Sequence, residues 1–261
     1  MFTDLTTLWD WIAEFLIHFM RIGAVFSVAP VLGSSMIPAN IRIALAVPIT
    51  AWITLVTPQD IALAQLDPLS ISGFLLMGGQ VLIGIAIGFL LRMVFEALAV
   101  GGQILSMQMG LGFAEMSDPQ SGARVPTLGH LYNVLGTLVF LALDGHLALI
   151  RLLAESYTLM PVSAGSLSPL GAHELVAWGA TLFQGAVMLA LPAIAALLAV
   201  NVAAGVMTRA VPQFNMMIAF PLILLLGLVA LGFTLGPVSE QFIALLDDAW
   251  ETIATVLTQN G

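Results

Sequence analysis

Residues 71–113 read ISGFLLMGGQVLIGIAIGFLLRMVFEALAVGGQILSMQMGLGF, and only Arg92 and Glu96 are charged in this stretch. About 20 consecutive apolar residues suffice for an α-helix to cross the hydrocarbon core of a bilayer, and this stretch is about twice as long. Arg92 and Glu96 are four residues apart, so they can pair on one face of a helix. The stretch predicts a long apolar helix that begins at about Ile71.

The composition of the whole chain is that of an integral membrane protein. Hydrophobic residues make up 60% of the 261 residues and charged residues 8%, whereas soluble globular proteins have about 25% charged residues. The net charge is −9 and lysine is absent, which excludes a polybasic surface for nucleic acid or anionic lipid. The absence of cysteine excludes disulfides and thiolate metal sites. Because the first residues lack a basic region, we expect no cleavable signal peptide.

Prolines, glycines and charges divide the rest of the chain into further apolar helices. The predicted fold class is all-α, with about six hydrophobic helical segments of the integral membrane type in a single domain of residues 1–261. Pro30 and Pro38 predict a turn over residues 29–40. The further apolar segments cover about residues 5–28, 41–56, 125–143, 175–209 and 216–235.

The segment over residues 175–209 is too long for one straight span. As an unbroken helix it would be about 52 Å long, against a hydrocarbon core of about 30 Å. We therefore expect it to bend at Pro192, to extend beyond the bilayer, or to consist of two elements. The preceding residues 161–173 are rich in proline, serine and glycine and predict a loop.

The C-terminal segment differs, because its apolar residues recur at helical spacing and its acidic residues lie opposite them. Pro237 stands where a proline suits the first turn of a helix. An acidic face disfavours binding to anionic headgroups, so this amphipathic helix is predicted to pack against protein. The apolar positions are Val238, Phe242, Leu245, Leu246, Ala249, Trp250, Ile253, Val256 and Leu257, and the acidic ones are Glu240, Asp247, Asp248 and Glu251.

Charged residues inside the apolar segments are candidates for function, because a charge at the bilayer centre costs about 2.5–3.5 kcal/mol on insertion scales. Glu14, His18 and Arg21 are spaced i, i+4 and i+7 and share one helix face. Two interpretations are open: a proton or ion relay, or buried ion pairs and helix-end contacts. The nearby opposite charges favour the second. The further candidates are Arg92, Glu96, Asp144, His146 and Arg151.

The spacing of the histidines argues against an enzyme. The four histidines lie in separate segments and form no His-x-x-x-His pair, being His18, His130, His146 and His173. Asp144 and His146 are not accompanied by a serine elbow or a second acidic motif. We therefore expect no catalytic residue, no metal site and no cofactor.

Small residues at helical spacing predict close helix packing, either inside the chain or between subunits. Such packing does not separate a transporter from a structural subunit. The motifs are Gly84 with Gly88, Ala195 with Ala199 and Ala203, and Gly232 with Gly236.

Residues 101–116 read GGQILSMQMGLGFAEM and are the most unusual stretch, since methionines alternate with glycine and glutamine. Glycine is unfavourable inside a helix, so a stiff helix is not expected here. Methionine is unbranched and adapts to a changing partner. Two interpretations are open: a flexible plug or constriction in a conduit, or a packed hairpin tip whose methionines fill gaps.

Several blocks of the sequence resemble the FliR family of flagellar and type III secretion export-gate proteins. The resemblance runs from about Arg21 to Gly236 and depends on all blocks together. In chain order they are Arg21, Ala29-Pro30, Pro38 and Arg42; Gln108 to Ala114 with Asp118-Pro119; Gly145-His146 with Leu149-Ile150 and Ser156; and Arg209 to Asn215, including Pro212 and Gln213, with Phe220-Pro221 and Gly227-Leu228.

This resemblance implies a structural and gating subunit of the flagellar protein export channel, in the bacterial inner membrane and the flagellar basal body. The implied partners are FliP-like and FliQ-like membrane subunits, an FlhB-like subunit and unfolded flagellar proteins in transit, with no nucleic acid. The implied channel plug or constriction comprises Met107, Gln108, Met109, Gly110, Gly112, Phe113 and Met116. Buried ion pairs or subunit contacts are expected for Glu14, Arg21, Arg92, Glu96 and Arg209.

The alternative is a small-solute or ion transporter with an intramembrane relay of charged side chains. Transporters tend to have two similar halves with interrupted helices at corresponding positions. Here residues 78–80 and 101–103 both read GGQ, but they lie within one predicted helix. This weak similarity favours the export subunit. The relay would comprise Glu14, Arg21, Asp144 and His146.

Overall fold

The computed structural model describes residues 2–34, 37–56, 70–111, 128–210 and 216–258, which form eight α-helices. A short 3-10 turn, Val162–Ala164, lies between the fifth and sixth helices. No strand occurs in the residues described, so the predicted all-α fold is confirmed. The helices are α1 (Phe2–Val28), α2 (Ala39–Val56), α3 (Ile71–Gln108), α4 (Leu128–Ala142), α5 (Gly145–Leu159), α6 (Pro169–Ala177), α7 (Gly179–Ala210) and α8 (Met216–Thr258).

Several helices are long and apolar enough to cross a membrane. Two bent pairs add to four single spans, giving up to six by length and composition. One pair is α4 with α5, bent by 67°, and the other comprises Ile223–Phe233 and Leu235–Thr258 of α8, bent by 52°. The count agrees with the predicted six segments. The four single spans found in the described residues are Trp11–Val28, Ala39–Val56, Ile71–Gln108 and Pro169–Met207.

The predicted turn between α1 and α2 is present and slightly shorter than expected, since α2 begins at Ala39. Arg42, in the first turn of α2, fixes it by donating from Nε and Nη2 to main-chain oxygens. These are the oxygens of Ile37, at 3.2 and 2.9 Å, and of Ser34, at 2.9 Å. Val31 has left-handed backbone, with φ 66°, a conformation that β-branched residues adopt only when their surroundings hold them there.

Two boundaries after α5 differ from the prediction. The loop predicted over residues 161–173 is wrong for its last part, because α6 begins at Pro169. Ser168 Oγ accepts from the main-chain nitrogen of Gly171 at 3.0 Å, and proline suits the first helical position. In the long segment that follows, a one-residue turn at Trp178 separates α6 from α7, within a stretch that still counts as one apolar span. α7 continues through Pro192.

The last two predicted elements are one helix, α8, which contains Pro221 and Pro237. It bends just before Pro237, because proline removes one donor and its ring displaces the preceding turn. The apolar positions predicted over residues 238–257 are buried except Trp250, and the four acidic positions are exposed. The predicted packing of this segment against protein is confirmed.

The chain forms two compact units, neither of which is a continuous piece of sequence. In unit 1, α1 and the first part of α3 bury large apolar side chains such as Ile22 and Leu90. In unit 2, Phe95 packs edge-on against Phe140 and Phe242, with ring centroids 5.6 and 5.3 Å apart. The prediction of a single domain stays a prediction. Unit 1 comprises Met1–Met93, Leu141–Gly179 and Asp248–Gly261, and unit 2 comprises Val94–Phe140 and Ala180–Asp247.

Candidate functional site along the third helix

Glycines in the first part of α3 bring this helix close to α1. A Cβ atom built on Gly84 would collide with the main-chain oxygen of Arg21 and lie 2.7 Å from Ala24 Cβ. One built on Gly88 would lie 3.0 Å from the main-chain nitrogen of Ala29. The two backbones therefore touch, as the spacing of Gly84 and Gly88 predicts.

The other small-residue motifs lie at the surface. The alanine stripe of α7 is exposed. Cβ atoms built on Gly232 and Gly236 would have no atom of the described residues within 4 Å. Their interpretation as contacts between subunits stays a prediction. The alanine stripe comprises Ala195, Ala199 and Ala203.

Arg21 is fully buried in unit 1, with 0% of its surface exposed. Its Nε donates to Gln80 Oε1 on α3 at 2.7 Å. Its Nη1 donates to the main-chain oxygen and the Oγ of Ser156 on α5, at 3.0 and 3.1 Å, and its Nη2 donates to the main-chain oxygen of Met160 at 3.0 Å. The guanidinium carbon lies 4.2 Å from the ring centroid of Tyr157. Arg21 thus joins α1, α3 and the end of α5.

These partners of Arg21 are neutral. Ser156 lies in the last turn of α5 and Met160 is its C-cap, where main-chain oxygens and the negative end of the helix dipole attract a cation. Several hydrogen bonds to such oxygens compensate a buried guanidinium without a carboxylate. The salt bridge expected for Arg21 is replaced here by contacts with a helix end.

Neighbouring polar groups complete the same cluster in unit 1. The Tyr157 hydroxyl donates to the main-chain oxygen of His18 at 3.0 Å, and the two rings lie 4.7 Å apart. His18 Nδ1 donates to the main-chain oxygen of Glu14 at 2.8 Å. Gln80 Nε2 donates to the main-chain oxygen of Gly165 at 3.4 Å. The Arg21 side chain and the main-chain oxygen of His18 therefore connect α1 to other helices.

The other residues predicted to form ion pairs are more exposed. Arg92 and Glu96 are exposed on α3, although the residues next to them are buried. Glu14 is half-buried, and Arg209 is exposed near the end of α7. Their part in ion pairs or subunit contacts stays a prediction. Arg92 and Glu96 continue an exposed apolar stripe of α3 formed by Ile71, Phe74, Leu75, Leu82, Ile85 and Phe89.

The second part of α3 contains the glycine pair and is helical. Gly101 and Gly102 lie inside α3, which ends at Gln108, so the expectation that residues 101–116 form no stiff helix is wrong for residues 101–108. A Cβ built on Gly102 would lie 2.6 Å from Gly129 Cα. Close packing of other helices against these glycines offsets their low helix propensity.

α3 ends in a glycine turn that is tied to Ser106. Gly110 has φ 77°, and the main-chain nitrogen of Leu111 donates to the main-chain oxygen of Ser106 at 3.0 Å, the pattern of a glycine C-cap. The main-chain nitrogen of Leu128, the first residue of α4, donates to Ser106 Oγ at 3.0 Å. Both residues that flank the segment 112–127 are thus bonded to one buried serine.

The predicted plug residues separate at this turn. Met107 is 59% exposed and Gln108 is also exposed. Met109 is 2% exposed and lies against Gly227 of α8, where a built Cβ would be 2.6 Å from Met109 Cε. This differs from the expectation that both methionines line a conduit. Gly112, Phe113 and Met116 lie outside the described residues.

The predicted family motif after α7 falls largely outside the described residues, which include neither Pro212 nor Gln213 nor Asn215. Pro221 is exposed in the first part of α8. The roles of these four residues therefore stay predictions.

In the part of the chain that the structure describes, no group of three or more His, Cys, Asp or Glu side chains could hold a metal ion. Asp144 is exposed and has φ 55° at the junction of α4 and α5. His146 is half-buried, and its Nδ1 has no hydrogen-bond partner among the described atoms. The glycines along α3 allow other helices to pack closely against it. The end of α3 exposes the side chains of Met107 and Gln108.

No buried contact was predicted from the sequence for the uncharged members of these clusters, although Ser156 is among the residues that carry the family resemblance. Gln80, Ser106, Ser156 and Tyr157 are polar residues in apolar helices. Because a buried polar group needs a hydrogen-bond partner, such residues are themselves a signal of a buried contact. The charged residues alone do not identify this buried contact.

The described residues form an all-α protein whose helices are long and apolar enough to span a membrane. Glycines allow close contacts between the helices, and the end of α3 is exposed. The sequence profile of the family described as bacterial export proteins, family 1, matches residues 12–249. The chain is 35% identical over 258 residues to the flagellar biosynthetic protein FliR of Pectobacterium carotovorum subsp. carotovorum, covering 96% of each chain. It is 32% identical over 252 residues to the flagellar biosynthetic protein FliR of Escherichia coli (strain K12), covering 96% of this chain and 95% of that one. The chain belongs to the FliR family of bacterial export proteins.

Proposed function

We propose that this chain is a structural and gating subunit of the flagellar type III protein export channel, in the bacterial inner membrane at the flagellar basal body. Membership of the FliR family and the apolar helices support this proposal. The proposed partners are FliP-like and FliQ-like membrane subunits, an FlhB-like subunit and unfolded flagellar proteins in transit. In this role the chain contributes surfaces and catalyses no reaction.

The exposed end of α3 is the observation that carries the gating part of the proposal. Met107 and Gln108 face outward, and Met109 anchors the same turn against Gly227. An adaptable, unbranched side chain such as methionine suits a seal that must open and close around different polypeptides. We assign the constriction to Met107 and Gln108, and to residues of the segment 112–127 that include Gly112, Phe113 and Met116, with Met109 and Gly110 as the anchor.

The bonds to Ser106 support the same assignment. Leu111 and Leu128 both donate to this one residue, so the chain leaves and returns at the same point of unit 2. A chain segment with both flanks held at one buried residue can project from its helix without loosening it. A plug on a conduit wall requires this property.

The exposed stripe of α3 supports contact with other subunits. Its apolar residues are exposed in the isolated chain, and an apolar patch of this kind marks an interface with lipid or protein. Arg92 and Glu96 lie on the same stripe, and we expect them to form ion pairs with each other or with a neighbouring subunit in the assembly.

Co-purification tests the subunit role. The tagged chain is expressed with the FliP-like and FliQ-like proteins of a bacterium that lacks its own FliR and is extracted in mild detergent. The expected result is one complex of fixed composition and restored motility. A chain that purifies alone and transports a small solute or ion in vesicles would contradict the proposal.

Deletion of residues 108–113 tests the gating role. The assembled complex is reconstituted in vesicles, and ion leakage is measured in the absence of exported protein. The deletion is expected to raise leakage above that of the intact complex, whereas Leu138→Gln, at an exposed position of α4, leaves it unchanged. An assembled deletion complex with unchanged leakage would show that the plug lies elsewhere.

A further inference from the structure

A cavity of about 320 Å³ opens between α1, α2 and α3 in unit 1, and we call it the α1–α2 groove. Its volume is at the lower end of the range for ligand sites, about 300–1,000 Å³. Of its eleven lining residues, only Ser27 and Arg42 have polar side chains. The groove is therefore an apolar trough with one cation.

The cation lies at one end of the groove. Ser27 is near the end of α1, and Arg42 is in the first turn of α2, so both lie beside the turn that joins the two helices. Phe19 and Met20 line the groove about eight residues earlier on α1, which is about 12 Å along the helix axis. The lining thus changes from polar to apolar along the length of the groove.

Arg42 has donors to spare for a ligand. Its three hydrogen bonds, to Ile37 and Ser34, use Nε and Nη2. Its Nη1 has no acceptor among the described residues, and the side chain is partly exposed and lines the groove. A guanidinium already fixed by main-chain oxygens presents its remaining N–H groups in a set direction, which suits a phosphate.

Tryptophans indicate the depth of this cation in a bilayer. Trp9 and Trp11 are exposed near the start of α1, at the end away from the turn, and tryptophan favours the membrane–water interface. The span Trp11–Val28 has 18 residues, which gives about 27 Å as a helix against a hydrocarbon core of about 30 Å. With these tryptophans at one interface, Arg42 lies near the headgroups of the other.

We propose that the α1–α2 groove binds one anionic phospholipid, with an acyl chain in the trough and its phosphate on Arg42 Nη1. A single cation at the end of an apolar trough matches an amphiphile with one charged head. The net charge of −9 disfavours broad binding to an anionic surface, so recognition is confined to this arginine. The proposal goes beyond the export role and does not depend on it.

Native mass spectrometry of the purified protein tests the proposal. Dioleoyl-phosphatidylglycerol and dioleoyl-phosphatidylcholine are titrated separately into the detergent-solubilised chain, and the lipid-bound fraction is compared. We expect phosphatidylglycerol to bind more tightly, by about fivefold, the factor that one arginine near an anionic headgroup contributes. Equal binding of the two lipids would overturn the assignment to Arg42.

Three variants localise the site. Arg42→Gln removes the cation, and Ala39→Glu adds an acid beside the groove at a helix N-terminus, where acids are tolerated; each is expected to abolish the preference for phosphatidylglycerol. Arg151→Gln, at an exposed arginine on α5, is the control and leaves it intact. Because Arg42→Gln also weakens the turn, Ala39→Glu keeps the test valid if that variant fails to fold.

A competing occupant of the groove is a helix of a partner subunit. The titration is therefore repeated on the complex with the FliP-like and FliQ-like subunits. Retention of the lipid, and its loss on Ala39→Glu, supports the proposal. Absence of the lipid from the complex, with the groove protected from hydrogen exchange, would show that a partner helix fills it and would overturn the proposal.

Discussion

In two regions of α3, a glycine allows close backbone contact with another helix. The two regions differ in whether the side chains near the glycine are buried or exposed. Around Gly84 the helix backbone touches α1, and the polar groups there are buried and bonded to Arg21. Around Gly102 the backbone touches α4, but six residues later the helix ends and exposes Met107. In both regions, the close contact at glycine fixes the position of α3 against a neighbouring helix. Buried polar bonds hold the fold in both regions, and the second region also exposes an adaptable side chain, Met107, that is available for function.

The largest effect is expected from Arg21→Leu, which breaks the first region. The main-chain oxygen of Met160 and Gln80 Oε1 lose their donor, and a buried unpaired acceptor costs about 1–3 kcal/mol, so the free energy of unfolding should fall by about 3 kcal/mol or more. Denaturant unfolding in detergent, followed by circular dichroism, measures it. The exposed Arg151→Leu is the control, with an effect of about 0.5 kcal/mol or less. Equal losses for the two variants would refute the role of the cluster.

A pair of methionines sharpens the comparison within the second region. Met109→Ala removes a buried side chain and should cost about 2–4 kcal/mol of unfolding free energy. Met107→Ala, two residues away on the exposed side, should cost about 0.5 kcal/mol or less. The same unfolding measurement separates them. A reversed order would mean that the turn at Gly110 is not the one described.

Two glycines test the close approach of α3 and α1. Gly84→Ala places a methyl group against the backbone of Arg21 and should destabilise the protein by about 1–3 kcal/mol. Gly78→Ala, where a built Cβ meets no described atom within 4 Å, should be neutral or stabilise by up to about 1 kcal/mol because alanine favours helix. Thermal unfolding in detergent gives both values, and stabilisation by Gly84→Ala would rule out the contact.

The smallest effect on stability is expected from Ser106→Ala, which removes one of the two bonds at the base of the segment 112–127. The loss should be about 1 kcal/mol, and the amide of Leu128 should exchange faster with deuterium. Hydrogen-exchange mass spectrometry measures the local change. Ser239→Ala, which removes a bond within one helix, is the control. Unchanged exchange at Leu128 would show that Ser106 Oγ does not hold α4.

The helices were predictable where apolar runs end in strong signals. The end of α1 is predicted at Val28, where it is observed. The start of α2 is predicted at about Ile41 and is observed two residues earlier, at Ala39. The start of α6 was missed although Ser168 and Pro169 are a capping serine and a first-turn proline. The helical state of Gly101 and Gly102 could not be predicted, because it depends on packing against Gly129, which is distant in sequence.

The candidate site was predictable only in part. Arg21 stood out as a charge in an apolar helix, but its partners are 59 to 139 residues away and neutral. The ion pair that the nearby opposite charges suggested for Arg21 is therefore not observed, and neutral oxygens accept its hydrogen bonds instead. The methionine stretch was recognised from its composition, whereas the burial of Met109 and the exposure of Met107 depend on a turn at Gly110 and on a contact with α8.

Site-specific cross-linking tests the central claim, that the end of α3 faces the path of exported protein. The chain has no cysteine, so Met107→Cys gives a single reactive position, and Leu138→Cys on α4 is a matched control because both side chains are 59% exposed. A flagellar export substrate fused to a tightly folded domain is arrested in the assembled channel, and cross-links are identified by mass spectrometry. We predict that Met107→Cys cross-links to the arrested substrate and Leu138→Cys does not. Failure of Met107→Cys, or equal cross-linking at both positions, would contradict the account.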